Sequence, residues 1–167
     1  MERMQTAPAL DRETFRKVCG RFATGIAVAT VRGRDGKPTG LTINSFASVS
    51  AAPPLVLICI DYRCSALADF RSNSWFAVNI LTEAQQDLSV RFAESQGDRF
   101  AGVSWREGET GAPLLEGCLA ALECCVSQVV EAGDHAIFLA EVVRGEWLED
   151  GRPLLYFASS YGTLDSD

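Results

Sequence analysis

The sequence predicts a mainly β fold, an antiparallel barrel with short flanking helices. About seven segments of the 167-residue chain are apolar or β-branched runs bounded by Gly, Pro, Asn or Asp, the pattern of strands. Most neighbouring runs are joined by tight turn sequences, so they pair as hairpins rather than through helical crossovers. Helical periodicity is confined to two or three short stretches. Residues 1–167 fit one domain, since domains run to roughly 100–200 residues. Its core spans residues 11–162, and no repeat, low-complexity tract or linker divides it.

The first element is a helix over residues 11–22. Phe15, Val18, Cys19 and Phe22 fall on an i, i+3, i+4, i+7 stripe, and Asp11 is placed to cap it. The period then changes. IAVATVR (26–32) is apolar and β-branched, RGRDGKP carries an Asp35-Gly36 turn, and a second strand begins near Thr39 and runs towards Ser50. Pro53-Pro54 breaks the chain before LVLICID (55–61), a buried strand. Ser65 stands at the start of a short helix through Phe70, and WFAVNIL (75–81) is the next strand. Thr82 and Gln85 have capping-box spacing and open a helix towards Phe92. Residues 95–112, rich in Gly and charge, read as a long surface loop, a class that is often functional. Two long strands follow, at about 117–131 and 135–147, joined by Glu131-Ala132-Gly133-Asp134, and Pro153 to Phe157 forms a last one.

Composition narrows the function. Apolar residues make up 47%, enough for a sizeable core and too many for intrinsic disorder. A net charge of −7 excludes a general binder of nucleic acid or anionic membrane, because phosphate surfaces demand a basic one. An anionic cofactor would therefore need a local cluster of Arg and backbone N–H donors. The opening MERMQTAPALDRETF has no apolar run of signal-peptide length, and no stretch approaches the roughly 20 apolar residues of a membrane helix. The six cysteines show no CxxC pairing, and several, such as Cys59 in LVLICI, lie in apolar runs where a thiol packs as a small hydrophobe. The expectation is a reduced, cytoplasmic protein. One histidine, His135, and no spaced Cys/His set give no zinc site, so no metal is expected. Neither a Gly-x-Ser-x-Gly elbow, a Walker loop nor a Gly-x-Gly-x-x-Gly turn is present.

The most unusual stretch is GLTINSFASVSAAPPL, residues 40–55. Read as one strand, it puts Thr42, Asn44, Phe46, Ser48 and Ser50 on one face, and Leu41, Ile43, Ser45, Ala47 and Val49 on the other. The first face combines small hydrogen-bonding groups with an aromatic ring, a surface suited to a planar heteroaromatic ligand with a polar edge. It also suits a solvated strand face, the reading that alternation alone favours.

Several segments, in order, resemble the flavin reductase-like family of FMN-binding split barrels, which includes reductase components of two-component monooxygenases. They are FATGIAVAT, the 40–55 stretch, PPLVLICID, WFAVNIL with its Gln-containing helix, GDHAIFLAEV and LLYFASSYG. Together they span residues 15–162. The resemblance implies an antiparallel split β-barrel, usually a homodimer, that reduces FMN or FAD with NADH or NADPH and passes reduced flavin to a partner oxygenase by diffusion. It implies that Thr42, Asn44, Ser45, Ser48, Val49 and Ser50 wall the isoalloxazine and ribityl chain, and that Ser65 binds phosphate, where a plain N-cap is the other reading. Arg91 and Phe92 would reach the cofactor, although Phe92 also fits the last core position of its helix. His135, in Gly-Asp-His, would dock the nicotinamide. Tyr156 and Tyr161 would close the pocket, although the tail YFASSYG is less basic than the ending common in the family. A pyridoxamine-phosphate-oxidase-like enzyme and a flavin-binding electron carrier without nicotinamide turnover are the alternatives.

Overall fold

The structure, a computed structural model, describes residues 9–94 and 96–165. The first eight residues, part of the polar opening read above, lie outside the described residues. Helix α1 (Arg12–Cys19) is capped by Asp11, whose carboxylate accepts from the Thr14 N–H at 2.9 Å. The helix is shorter than its periodicity predicts, and its apolar stripe is not packed within the chain. Phe15, Val18 and Phe22 are 56%, 63% and 79% exposed. Periodicity reports amphipathicity, not the presence of a partner.

The chain continues through β1 (Thr24–Gly25), β2 (Ala27–Arg32), β3 (Pro38–Ile43), β4 (Ala47–Ala51), β5 (Pro54–Asp61), α2 (Leu67–Ser72) and β6 (Trp75–Ile80). A 3₁₀ turn (Glu83–Gln85) leads into α3 (Gln86–Ala93), then β7 (Trp105–Glu107), β8 (Pro113–Leu115), β9 (Ala120–Ala132), β10 (His135–Trp147), β11 (Leu155–Phe157) and β12 (Ser160–Gly162). Seven of these strands form one antiparallel sheet in the order β3-β2-β6-β9-β10-β5-β4. β1, β11 and β12 form a small sheet, and β7 pairs with β8.

β3 and β4 are opposite edges of the large sheet, yet only residues 44–46 separate them in the chain. The four Cα–Cα steps from Ile43 to Ala47 span at most about 14 Å, so the sheet must curl until its edges come close. The result is a barrel split between β3 and β4. The sequence reading of one continuous strand from Thr39 to Ser50 is therefore corrected. β3 pairs with β2, β4 pairs with β5, and the alternation is broken at the crossing. Ser45 pins that crossing: its hydroxyl accepts from the Cys59 N–H at 2.9 Å and donates to the Cys59 carbonyl at 3.1 Å.

β2 is apolar on both faces for a physical reason. Ala27, Ala29 and Val31 join Ile58, Phe70, Phe76 and Phe138 inside the barrel. Ile26 and Val28 pack on the other side with Leu81, Phe92, Phe100 and Leu154, beneath α3. The capping box holds as read, with the Gln85 amide oxygen accepting from the Thr82 N–H at 3.1 Å. Two readings change. α2 starts later than predicted, with Ala66 rather than Ser65 at its N-cap. The supposed loop 95–112 contains β7 and leads into β8, whose three residues are buried.

Candidate functional site

The C-terminal end of β5 gathers three of the residues singled out in the sequence. Ser45 is bonded to Cys59, His135 stands opposite Asp61 in the β10–β5 register, and Ser65 follows four residues after the strand ends. The side chain of His135 is 41% exposed, and its Nδ1 lies 2.7 Å from Asp134 Oδ1. Among the described residues nothing bonds its Nε2, so that edge of the ring is available. The hydrogen bond with His135 holds the Asp134 carboxyl below its ordinary range. Asp61 is lowered further, by hydrogen bonds from the Arg63 side chain and backbone, and its carboxylate is fully committed there. Beside it Tyr62 donates to Glu131, which Arg71 also holds at 2.8 Å, and this contact pushes the Tyr62 phenol up.

Next to this end of β5 lies a cleft of about 740 Å³. Ser65 and Arg99 face each other in it: Arg99 donates to the Gly40 carbonyl and places Nη2 3.3 Å from Ser65 Oγ. Many of the cations are paired with carboxylates, inside the cleft as well as outside it. Arg34 pairs with Asp69, Arg63 with Asp61, Arg106 with Glu146 and Arg144 with Glu109. Arg99 and Lys37, both lining the cleft, have no carboxylate at ion-pair distance among the described residues. A guanidinium held only by neutral oxygens, beside a hydroxyl, is an anion grip. The cleft's own carboxylates are occupied: Asp35 accepts from the Lys37 N–H at 3.0 Å, Asp98 from the Phe100 N–H at 3.0 Å, and Asp69 from Arg34.

A second group forms under α3. Thr42 on β3 donates to the Ser89 carbonyl at 2.6 Å, and the Ser89 hydroxyl lies 2.9 Å from the Tyr161 hydroxyl. Tyr161 packs edge-on against Tyr156, with centroids 5.6 Å apart. Phe92, one turn after Ser89, is buried against Phe100, which in turn meets Trp105 at the cleft. Phe92 thus occupies a core position. Arg91 on the same helix turns outward and donates to the Ala101 carbonyl.

The remaining candidates are not drawn into either group. Asn44 is exposed at the crossing, and Ser48 and Val49 are exposed on edge strand β4. Val49 is the extra residue of a bulge between Ser48 and Ser50, and the Ser50 hydroxyl accepts from the Ala52 N–H at 3.3 Å. The bulge and the break at 44–46 scatter what a continuous strand would have put on one face. Arg99, Lys37, Ser89 and Trp105 were missed in the sequence. The one signal pointing to Arg99 and Trp105 was the length and charge of the 95–112 segment.

Comparison with known proteins places this architecture. The "Flavin reductase like domain" family matches residues 19–165. A Mycobacterium tuberculosis protein named "Flavin-dependent monooxygenase, reductase subunit HsaB" is 39% identical over 163 residues, covering 95% of this chain and 85% of that protein. The solved structure of the Streptomyces globisporus NADH:FAD oxidoreductase SgcE6, in complex with NAD and FAD fragments, superposes with a TM-score of 0.89 at 38% identity. It covers 96% of this chain and 99% of that one. The flavin reductase PheA2 superposes with a TM-score of 0.85 at 37% identity, over 94% of this chain and all of that one. With its split barrel, its β5-end cluster and this match over nearly its whole length, the chain belongs to the flavin reductase-like domain family.

Proposed function

We propose that this protein is an NAD(P)H-dependent flavin reductase that delivers reduced FMN or FAD to a partner monooxygenase. The observation that carries the reading is the Arg99–Ser65 grip, a cation without a carboxylate partner among the described residues and a hydroxyl, in one cleft. These residues fit a flavin phosphate, with Ser65 and Arg99 holding it and the ring system reaching away from them. When bound, the flavin supplies the hydride-accepting chemistry. The chain binds and orients. Ser45 fixes the crossing loop, Asp134 fixes the His135 imidazole through Nδ1, and Nε2 is left to meet the nicotinamide carboxamide. No residue has to move a proton.

The test is steady-state oxidation of NADH and of NADPH with FMN, FAD and riboflavin in turn. Turnover that requires added flavin, and bleaching of that flavin without oxygen, support the reading. A tightly bound flavin with no nicotinamide turnover would establish an electron carrier instead.

A homodimer accords with the surface. Phe15, Val18 and Phe22 of α1 lie exposed, and Gly20, at the end of the same helix, accepts from the Ala158 N–H next to exposed Phe157. A patch of this kind marks an interface. No helix among the described residues is long and apolar enough to cross a membrane, and the cytoplasm suits a chain whose coenzymes are cytoplasmic.

A further inference from the structure

We infer that Tyr62, Arg71 and Glu131 form a clamp that sets the position of His135 relative to the flavin, and that Glu131 is a positioning residue for hydride transfer. The inference rests on the flavin-reductase reading and adds to it residues that act through His135.

The outer half of the β9–β10 hairpin is supported on one side only. β6 accompanies β9 as far as the Trp75–Cys125 pair, and the Val126 N–H then bonds the Ser74 carbonyl at 2.8 Å. From there β9 runs on to Ala132 against β10 alone, and residues 127–131 are exposed. β10 keeps β5 on its other side up to the Asp61–His135 pair. The free edge therefore belongs to β9 and to the turn that carries Asp134 and His135. A ribbon end with few buried contacts and exposed backbone bonds moves readily unless something ties it down.

Two anchored elements tie it. α2 buries Leu67 and Phe70 in the barrel core, so Arg71 in its last turn reaches out from a fixed base. Arg71 Nη2 donates to Glu131 Oε1 and Oε2 at 2.8 and 2.9 Å. Tyr62, the first residue after β5, donates its hydroxyl to the same carboxylate and its backbone N–H to the Asp134 carbonyl at 3.0 Å. The Arg71 guanidinium also stands 5.8 Å from the centre of the Tyr62 ring. Tyr62 thus holds both shoulders of the turn. Glu131 is the residue opposite Ala136, and Asp134 is the one that bonds His135 Nδ1. Stability does not account for the arrangement, because all three side chains are exposed and exposed ion pairs add little to it. The segment that supplies Tyr62 continues to Ser65, so a shift of the turn changes the distance between His135 and the flavin phosphate grip. Hydride transfer is sensitive to such shifts, since the reacting atoms must approach to about 3–3.5 Å.

The experiment follows anaerobic bleaching of FMN and of FAD by NADH and by NADPH in a stopped-flow instrument. KM for the nicotinamide, flavin affinity and a melting curve are taken on the same samples of intact protein. Glu131→Ala is expected to raise KM for the nicotinamide or slow bleaching about tenfold, with flavin affinity and melting temperature near wild type. Tyr62→Phe, which removes one hydroxyl, should give a smaller defect of the same kind. It should add nothing in the Glu131→Ala background, as expected of two residues in one network. Glu131→Gln keeps an acceptor oxygen and should recover part of the loss. In the His135→Asn background Glu131→Ala should have no further effect, because the clamp acts through that ring. Wild-type kinetics in Glu131→Ala overturn the proposal. So does a full further loss in the His135→Asn background, or a kinetic defect matched by a fall in flavin affinity and melting temperature, which would make the cluster part of the fold alone. Absence of bleaching by the wild-type protein with every pairing would instead remove the reductase reading, and the clamp with it.

Discussion

Glu123 on β9 and Thr110 in the β7–β8 turn are joined at both ends of the threonine. Its N–H and its hydroxyl donate to Glu123 Oε2 at 2.8 and 2.5 Å, while the Glu109 N–H reaches Oε1 at 3.2 Å. Glu123 is only 5% exposed, and a Cβ at Gly108 would stand 2.5 Å from Oε2, so glycine there makes the approach possible. This buried carboxylate ties the β7–β8 hairpin, and with it the Trp105 wall of the cleft, to the barrel.

The tie is pH-dependent. Burial pushes the Glu123 carboxyl up, but the Thr110 hydroxyl and the two backbone N–H groups outweigh it and hold the pKa below 4.5. The folded state then binds fewer protons than the unfolded chain. The contribution is complete above the unfolded value and is lost as pH falls through the lower folded one. Glu123→Gln should cost about 1.5–3 kcal/mol at pH 7, the worth of hydrogen bonds to a charged group, and should flatten the acid limb. Urea unfolding at pH 7 and pH 4 measures both. Parallel pH profiles for the two proteins would refute the assignment.

Asn79→Ala should be among the most damaging core changes. The Asn79 amide donates to the Val28 carbonyl and the Thr30 hydroxyl, both at 3.0 Å, and accepts from the Leu115 N–H at 2.8 Å. Thr30 passes the bond on to the Pro113 carbonyl at 2.5 Å. Truncation strands several fully buried groups at about 1–3 kcal/mol each. Thermal melting should show a loss of about 6–12 °C, given about 2–4 °C per kcal/mol at this chain length.

His135→Asn separates a docking role from a structural one. Its ring is partly exposed and bonded on one side only, so the substitution should leave melting within about 0.5 kcal/mol, as for a surface position. KM for the nicotinamide should rise, or kcat fall, with flavin affinity unchanged. A loss of stability without a kinetic defect would assign His135 to the fold alone.

The turn between β11 and β12 places Ala158 and Ser159 at φ of 49° and 65°, where side chains other than Gly or Asn are strained. Replacing the pair with Asn-Gly should stabilise the protein by about 1 kcal/mol. The gain should appear as a higher urea midpoint with an unchanged slope.

Local chemistry made much of this protein legible in its sequence. The continuous apolar run of β2, the Asp35-Gly36 turn with Gly36 at φ 80°, the Asp11 cap and the Thr82–Gln85 box are each decided by residues within a few positions of one another. So are the two long strands joined at Gly133. The family resemblance came from the order of these local pieces. Tertiary structure alone decided the rest. The strand read through residue 50 breaks at 44–46 because the closing sheet needs its chain to cross there, a constraint imposed by β5 and its bond to Ser45. The α1 stripe is exposed because helical periodicity says nothing about what covers it. Arg99 meets Ser65 across 34 residues of sequence, in a cleft formed only when the β2–β3 hairpin, α2 and residues 97–105 fold against one another. Short-range spacing encodes caps, turns and strands. A binding site assembled from separate segments exists only once loop closure has brought them together.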